Sequence, residues 1–253
     1  MTNDQYAELN SIRNEVKAYV DSIGKGRPWL GPLQEKLRVE LGYDDYRVET
    51  PVVYNRDLDA VGPDSAPAFI LVADNPGKSE QKALNRRYLV GQSGKLAASW
   101  FTRELGMDFR ASTLIINKTP LHTPKTTELK KLLILSGGRR EELESLLRES
   151  QIAMASFAYR LHTLFGNVLW ISGYGELGKR GLFYEWSKEL RRLYSTAPAR
   201  LWRNVWVFRH FSMNQFAIEY SRRETASDSP MDRLELIGTA NRDRILGSSP
   251  VSE

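Results

Sequence analysis

The chain has 253 residues, 41% of them hydrophobic, and it contains no cysteine, which excludes disulfides, a thiolate nucleophile and cysteine-ligated zinc or iron–sulfur centres. The formal net charge is +5, and much of the positive charge lies in adjacent pairs such as Arg86-Arg87 and Lys130-Lys131, which suits a polyanion such as nucleic acid. No apolar run approaches the roughly 18 residues of a membrane helix, and the first residues lack a secretory signal. We therefore expect a cytoplasmic protein with no membrane partner, and a monomer.

The N-terminal part of the chain is predicted to be helical. Apolar residues recur at helical spacing from Tyr6 to Ile23, and Gly24 ends the pattern. A second, shorter helix is indicated by leucines four residues apart, at Leu33, Leu37 and Leu41. Residues 43–66 carry proline and glycine and predict a loop. Residues 1–66 are therefore expected to be a helical extension and loop within a single domain spanning 1–253.

Short apolar runs further along the chain predict four β-strands, namely Ala68–Ala73, Thr113–Ile116, Val168–Ser172 and Val205–Phe208. Helical patterns lie between these runs, at Gly94–Leu105, Arg139–Phe165 and Gly178–Tyr194. The alternation favours an α/β fold with three layers, α/β/α, around a short, mostly four-stranded parallel sheet. Residues 67–220 form the expected core, and the polar residues 221–253 predict a weakly packed C-terminal tail.

Polar residues follow the predicted strands at the edge where open α/β sheets place their ligand sites. The first strand leads into Ala73 to Gly77, where AsnProGly breaks the strand because proline fixes φ and glycine permits positive φ. The segment from Val90 to Leu96 follows one loop later. The second strand ends in Asn117 to Pro120, and the fourth ends in His210 to Ser212. These segments predict one composite site.

In this order the four segments resemble the active-site motifs of the uracil-DNA glycosylase superfamily, over residues 68 to about 220. Residues 73–77 are similar to the AsnProGly version of the mismatch-specific and single-strand-selective branches. Residues 90–96 and 117–120 look more like the bacterial family-4 branch, whose cluster cysteines are absent here. The resemblance implies a monofunctional DNA glycosylase that removes a flipped pyrimidine, with DNA as its partner and with no cofactor or metal.

The resemblance also implies roles for individual residues. Asn75 matches the amide that orients the attacking water, and Asp74 lies beside it to face the positive charge that develops on the sugar. His210 matches the imidazole that stabilises the departing base, and Asn117 matches the amide that reads the base edge. Three residues are expected to surround the base, namely Gly77, Tyr88 and Leu89. Contacts or wedges on DNA are expected from Pro76, Ser93, Lys95, Lys118, Ser212, Met213, Asn214 and Gln215.

Two departures from the family pattern bear on the substrate. Some uracil-specific relatives carry tyrosine at the position of Gly77, and other branches carry phenylalanine where Tyr88-Leu89 precede ValGly in this chain. Both changes remove bulk from the expected pocket. The expected substrate is therefore a C5-modified pyrimidine, such as a hypermodified phage cytosine removed in anti-phage defence, or otherwise uracil.

Two other functions stay open on the residues alone. The chain fits a non-catalytic DNA-binding protein of the same fold, because an amide is a poor general base and Phe211 interrupts the expected HisPro motif. The segment from Gly173 to Gly178 fits GxGxxG after a strand, which is the context of a dinucleotide site. Arg209, after the next strand, suits the 2′-phosphate of NADP in an oxidoreductase.

Overall fold

The structure, a computed structural model, describes residues 1–222 and 229–248. Its sheet contains four parallel strands, which are β1 (Phe69–Ala73), β2 (Thr113–Asn117), β3 (Val168–Ser172) and β4 (Val205–Phe208). The strand order is β2-β1-β3-β4, and the register pairs Ala73 with Asn117 and Ser172 with Phe208. All four strands therefore end at one edge of the sheet. The four predicted strands are confirmed, with bounds that differ by at most one residue.

Helices connect and flank the strands. They are α1 (Asn3–Gly26), α2 (Leu30–Glu40), α3 (Gln92–Trp100), α4 (Phe109–Ser112), α5 (Glu128–Leu135), α6 (Arg140–Phe165), α7 (Tyr184–Tyr194), α8 (Ala199–Arg203), α9 (Gln215–Ser221) and α10 (Pro230–Ile245). A π-helical turn, Phe101–Leu105, extends α3 and accounts for the predicted helix that ends there. Within the described ranges, no helix combines the length and apolar character needed to cross a bilayer.

The two faces of the sheet belong to two separate hydrophobic cores, because successive side chains of a strand point to opposite faces. Ile70 and Val72 pack in one core with apolar residues from α1, α2, α5, α6, α7 and α8. Phe69, Leu71 and Trp170 pack in the other core with residues from α3, α4, α9 and α10. The sheet thus lies between two helical layers, and the predicted three-layer α/β/α fold is confirmed.

The N-terminal helix is an integral part of the first core. Its predicted apolar stripe is buried from Leu9 to Ile23. Charge reinforces the packing, because Arg160 of α6 donates to Glu8 and Glu15 of α1. The predicted helix is confirmed, and it covers one face of the sheet.

The prediction that the C-terminal residues form a weakly packed tail is wrong for the residues of α10. Leu234 and Ile237 of this helix are buried in the second core. The helix begins with Ser229, whose hydroxyl accepts the Asp232 N–H, and with Pro230 in its first turn, both of which favour a helix start. Residues 223–228 and 249–253 of the predicted tail lie outside the described residues.

Candidate active site at the carboxyl edge of the sheet

The strand order defines where a ligand site is expected. The chain passes from β1 to β2 on one side and then to β3 on the other, so the topological switch point lies between β1 and β3. Asp74 follows β1 at this point, opposite Ser172 at the end of β3. The segment after β2 joins them, because the Lys118 N–H donates to the carbonyls of Ala73 (2.9 Å) and Asp74 (3.0 Å). Two of the predicted segments, residues 73–77 and 117–120, therefore meet here beside the end of β3.

A buried ion pair occupies the switch point. The Lys118 ammonium donates to Asp74 Oδ1 and to the Ser172 carbonyl, each at 2.5 Å, and the lysine side chain is 0% exposed. The Thr126 hydroxyl lies 3.4 Å from Asp74 Oδ2. Burial lowers the pKa of Lys118, an effect opposed by the charge and hydrogen bond of Asp74. The predicted phosphate contact by Lys118 is wrong, because its ammonium faces the Asp74 carboxylate inside the protein.

Gly173 makes room for this ion pair. A Cβ atom at this position would lie 2.7 Å from Asp74 Oδ1, and the residue has a φ of +83°, which disfavours any other side chain. The predicted GxGxxG segment contains a single 3-10 turn, Tyr174–Glu176, and does not open an α-helix, because α7 begins only at Tyr184. Its first glycine is therefore explained by the approach of Asp74, and the helix N-terminus required at a dinucleotide site does not follow the glycines.

The Asn75 side chain is fixed through its nitrogen. Nδ2 donates to Thr123 Oγ1 at 2.9 Å and to the Leu121 carbonyl at 3.3 Å. Oδ1 is buried and has no hydrogen-bond partner among the described residues. The amide therefore holds an acceptor oxygen in a set direction, and its role in orienting water stays a prediction.

Asn117 lies deeper, at the end of β2. It is 1% exposed, and neither its Nδ2 nor its Oδ1 has a partner among the described residues. Ser172 Oγ is buried and likewise has no such partner. Buried amides are rarely left unpaired, so both ends of Asn117 point to a ligand with complementary donor and acceptor groups. Asp74, Asn75 and His210 are half-buried and lie nearer the surface.

His210 is held in one tautomer. Its Nδ1 accepts the backbone N–H of Ser212 at 3.0 Å, so the neutral ring carries its proton on Nε2. Burial lowers the pKa of His210, while the negative charge of Asp74 raises it and the positive charge of Lys118 lowers it further. The site thus contains an imidazole whose neutral form carries its proton on Nε2, close enough to the buried ion pair for both charges to act on its pKa.

Two predicted base contacts lie in the second core. Tyr88 is 2% exposed, and its hydroxyl donates to the Val53 carbonyl at 2.6 Å. Leu89 is also buried, with a φ of +52° that turns its side chain inward. The predictions that Tyr88 and Leu89 surround the base are therefore wrong. Phe211 is buried as well, and its ring stacks on Trp170 with centroids 5.8 Å apart.

A carboxylate that the sequence reasoning missed joins two of the predicted loops. Glu80 is buried and accepts the backbone N–H groups of Gly77 (2.8 Å) and Leu89 (2.7 Å). Burial raises the pKa of Glu80 to about 7, against the lowering effect of these hydrogen bonds. A glutamate three residues after the ProGly pair is the local sequence signal for these two hydrogen bonds.

A Cβ atom added at Gly77 would meet only the Pro124 carbonyl, at 3.8 Å, so the position has space for a side chain.

The residues expected to contact DNA divide into exposed and buried groups. Lys95 is exposed in the first turn of α3, Ser93 and Gln215 are half-buried, and Met213 is 77% exposed. Met213 and Asn214 have φ of +52° and +56°, an uncommon conformation for two successive residues other than glycine. Pro76 is buried, which contradicts its predicted contact with DNA, and its carbonyl lies 2.9 Å from His122 Nδ1.

No protein-family model matches the chain, and no curated protein matches it significantly. The superfamily resemblance therefore rests on the four sequence segments alone.

Proposed function

We propose that the protein is a monofunctional DNA glycosylase that hydrolyses the N-glycosidic bond of a flipped pyrimidine in DNA. The observation that carries the proposal is the Asn75 amide, whose nitrogen is fixed by Thr123 while its buried oxygen has no partner among the described residues. Asp74 precedes it in the chain. An amide oxygen held in this way accepts a hydrogen bond from a water molecule and aims it at C1′ of the sugar. Cytoplasmic location and a monomeric state belong to the same proposal.

Most of the rate enhancement would be electrostatic. As the bond to the base breaks, positive charge develops on the sugar and negative charge on the base. Asp74 supplies a carboxylate that is fixed in place by Lys118, so no reorganisation is needed when the sugar becomes cationic. Water adds to C1′, the base leaves as an anion, and the proton that the water loses passes to solvent and finally to the base.

The departing base would be bound by His210 and Asn117. The Nε2–H of neutral His210 donates to the base oxygen on which negative charge accumulates, and Ser212 keeps the proton on that nitrogen. Both ends of the Asn117 amide pair with the base edge, which removes the penalty of leaving them unpaired inside the protein. These contacts strengthen as the bond breaks, which is the condition for lowering the barrier.

The position of Lys118 supports hydrolysis by water over attack by an amine. A lysine nucleophile would form a Schiff base with C1′ and would need a free, accessible amine. The Lys118 ammonium is fully buried and bonded to Asp74 and to the Ser172 carbonyl. We therefore assign Lys118 as a positioning residue for Asp74.

The space near Gly77 supports a C5-substituted pyrimidine as substrate. Gly77 leaves room for a side chain, while the rings of Tyr88 and Phe211 are held in the second core and offer no stacking face. A base with a substituent at C5 meets little steric opposition there. Phage DNA with hydroxymethylated or glucosylated cytosine is the bulky extreme of this class, and its removal would serve anti-phage defence.

A substrate panel tests the proposal. DNA containing uracil, hydroxymethylcytosine or glucosylated cytosine is incubated with the protein, abasic sites are cleaved with alkali, and the released base is identified by mass spectrometry. We expect base release from at least one modified DNA, and release slowed by roughly 10²–10³ in the Asn75→Ala variant. DNA binding without base release from any substrate would instead support the non-catalytic DNA-binding protein.

A further inference from the structure

The loop between the first two site segments carries an exposed apolar residue among cations. We call residues 81–87 the basic loop. Leu84 at its tip is 91% exposed, and Lys82, Arg86 and Arg87 flank it. Isolated exposed leucines are common on protein surfaces, so exposure alone has no meaning here. Leu84 differs from such residues because hydrogen bonds fix the loop that carries it and because cations flank it.

The basic loop is held at both ends and along its length. Glu80 accepts the N–H groups of Gly77 and Leu89, so the loop leaves and rejoins the protein beside the candidate active site. The Ala83 N–H donates to Glu49 Oε2 at 2.7 Å. The Arg86 N–H donates to the Lys82 carbonyl at 2.9 Å. Leu84 is therefore presented at a set place next to the site.

A cleft of about 430 Å³ lies behind the basic loop. Three cations line it, from Lys25, Arg56 and Arg86, against the two carboxylates of Asp21 and Glu49. One of these carboxylates, that of Glu49, is bonded to the Ala83 N–H. The cleft therefore carries an excess of positive charge and suits a single anionic group.

Arg86 adds one observation that points to a ligand. Its Nε is buried and has no hydrogen-bond partner among the described residues. Its backbone has a φ of +43°, an uncommon conformation for arginine, and the Arg86 carbonyl accepts the Arg56 N–H at 2.9 Å. The two arginines are thus joined through the backbone, with one buried guanidinium nitrogen left to donate.

The cleft faces the same end of the sheet as the candidate active site. Helix α1 runs antiparallel to α6, since Gln5 bonds the Leu164 carbonyl and Arg27 lies 3.8 Å from Glu149. Because α6 leads into the start of β3, its C-terminal end lies at the opposite, amino edge. Lys25, near the end of α1, therefore lies toward the carboxyl edge, where a DNA strand entering the site would pass.

We propose that the cleft binds a backbone phosphate of the DNA strand beside the flipped nucleotide, and that Leu84 packs against the adjoining nucleotide. This second DNA contact rests on the proposed function, because DNA is its ligand. It lies on the basic loop and α1, apart from the segment of Met213 to which the family resemblance gives the wedge. Arg56 and Arg86 supply the phosphate contact, and Leu84 supplies apolar contact that does not depend on salt.

Fluorescence anisotropy with a labelled duplex over a series of salt concentrations tests the proposal. The double variant Arg56→Gln/Arg86→Gln should lower the slope of log affinity against log salt by about 0.9 for each phosphate that the protein no longer neutralises. Arg56→Lys/Arg86→Lys should keep most of the slope. Leu84→Ala should weaken DNA binding by roughly tenfold, because the variant no longer buries a leucine side chain against the nucleotide. The salt slope should stay unchanged, because this contact carries no charge.

Two matched controls use exposed residues elsewhere on the protein. Arg203→Gln removes a cation from α8, before β4 at the amino edge of the sheet, and Leu236→Ala removes a half-exposed leucine from α10. Both should bind DNA as the wild type does. If the basic-loop variants match these controls while the wild type binds DNA and releases a base, the second contact is refuted and the proposed function stands. A wild type that binds no DNA would refute both.

Discussion

Replacing Lys118 by methionine removes the cation that faces Asp74 and leaves a side chain of similar length in the same space. The half-buried carboxylate then lies beside Gly173 and keeps, among the described residues, only the long Thr126 contact. Removing one partner of a buried ion pair costs about 3–5 kcal/mol, because the remaining charge has no compensation. The Ser172 carbonyl is also left without its donor, which adds to the cost.

Urea unfolding measures this destabilisation. The free energy of unfolding of Lys118→Met should fall by about 3–5 kcal/mol at neutral pH. The double variant Asp74→Asn/Lys118→Met should recover most of the stability, because a neutral pair carries no uncompensated charge. Excision should stay low in the double variant, since the carboxylate at the sugar is gone.

DNA binding separates this account from the alternative in which Lys118 faces the phosphates. The Asp74→Asn/Lys118→Met variant should keep the wild-type salt dependence of DNA affinity. A salt slope reduced by about 0.9, together with wild-type stability in Lys118→Met, would refute the buried ion pair.

Four further outcomes are expected. His210→Ala should lower single-turnover excision by roughly 10²–10³ while DNA affinity is kept, and an unchanged rate would remove His210 from the chemistry. Lys95→Ala should lower the salt slope of duplex binding by about 0.9, whereas an unchanged slope would mean that this lysine only faces solvent. Gly77→Tyr should suppress excision of a C5-substituted base more than that of uracil in a competition assay, and equal suppression would contradict the substrate argument. Since the pKa of Glu80 is raised to about 7, the folded protein keeps a proton that the unfolded chain releases, and the free energy of unfolding should fall as pH rises from about 4.5 to about 7, by on the order of 3 kcal/mol. Glu80→Gln should abolish that dependence, and a variant with the wild-type pH profile would exclude Glu80 as its source.

The fold was readable from the sequence because its strands and helices are marked by local patterns. Val168–Ser172 is a continuous apolar run in a strand buried on both faces, which is typical of a parallel sheet under two helical layers. AsnProGly after β1 marks the sharp exit that presents Asp74 and Asn75. Helix α10 was missed because its apolar residues are few, although Ser229 and Pro230 marked its start.

The side-chain partners within the site were not readable, since they depend on strand order. A lysine after a strand looks like a surface cation, and only the neighbouring ends of β1 and β3 turn Lys118 toward Asp74. Tyr88 looked like a stacking residue by position, but the positive φ of Leu89 and the hydrogen bond to Val53 draw this segment into the core. Neither the partner of Lys118 nor the buried position of Tyr88 could be inferred from the neighbouring residues in the sequence.

The most direct test of the account is the single-turnover rate of base release by Asn75→Ala on the DNA that the wild type cleaves best. If the Asn75 amide oxygen aims the water, the rate should fall by roughly 10²–10³, equivalent to about 2.7–4 kcal/mol of barrier, with unchanged DNA affinity and an unfolding midpoint near that of the wild type. A folded Asn75→Ala protein that releases the base at the wild-type rate would contradict the assignment of this site as a glycosylase centre.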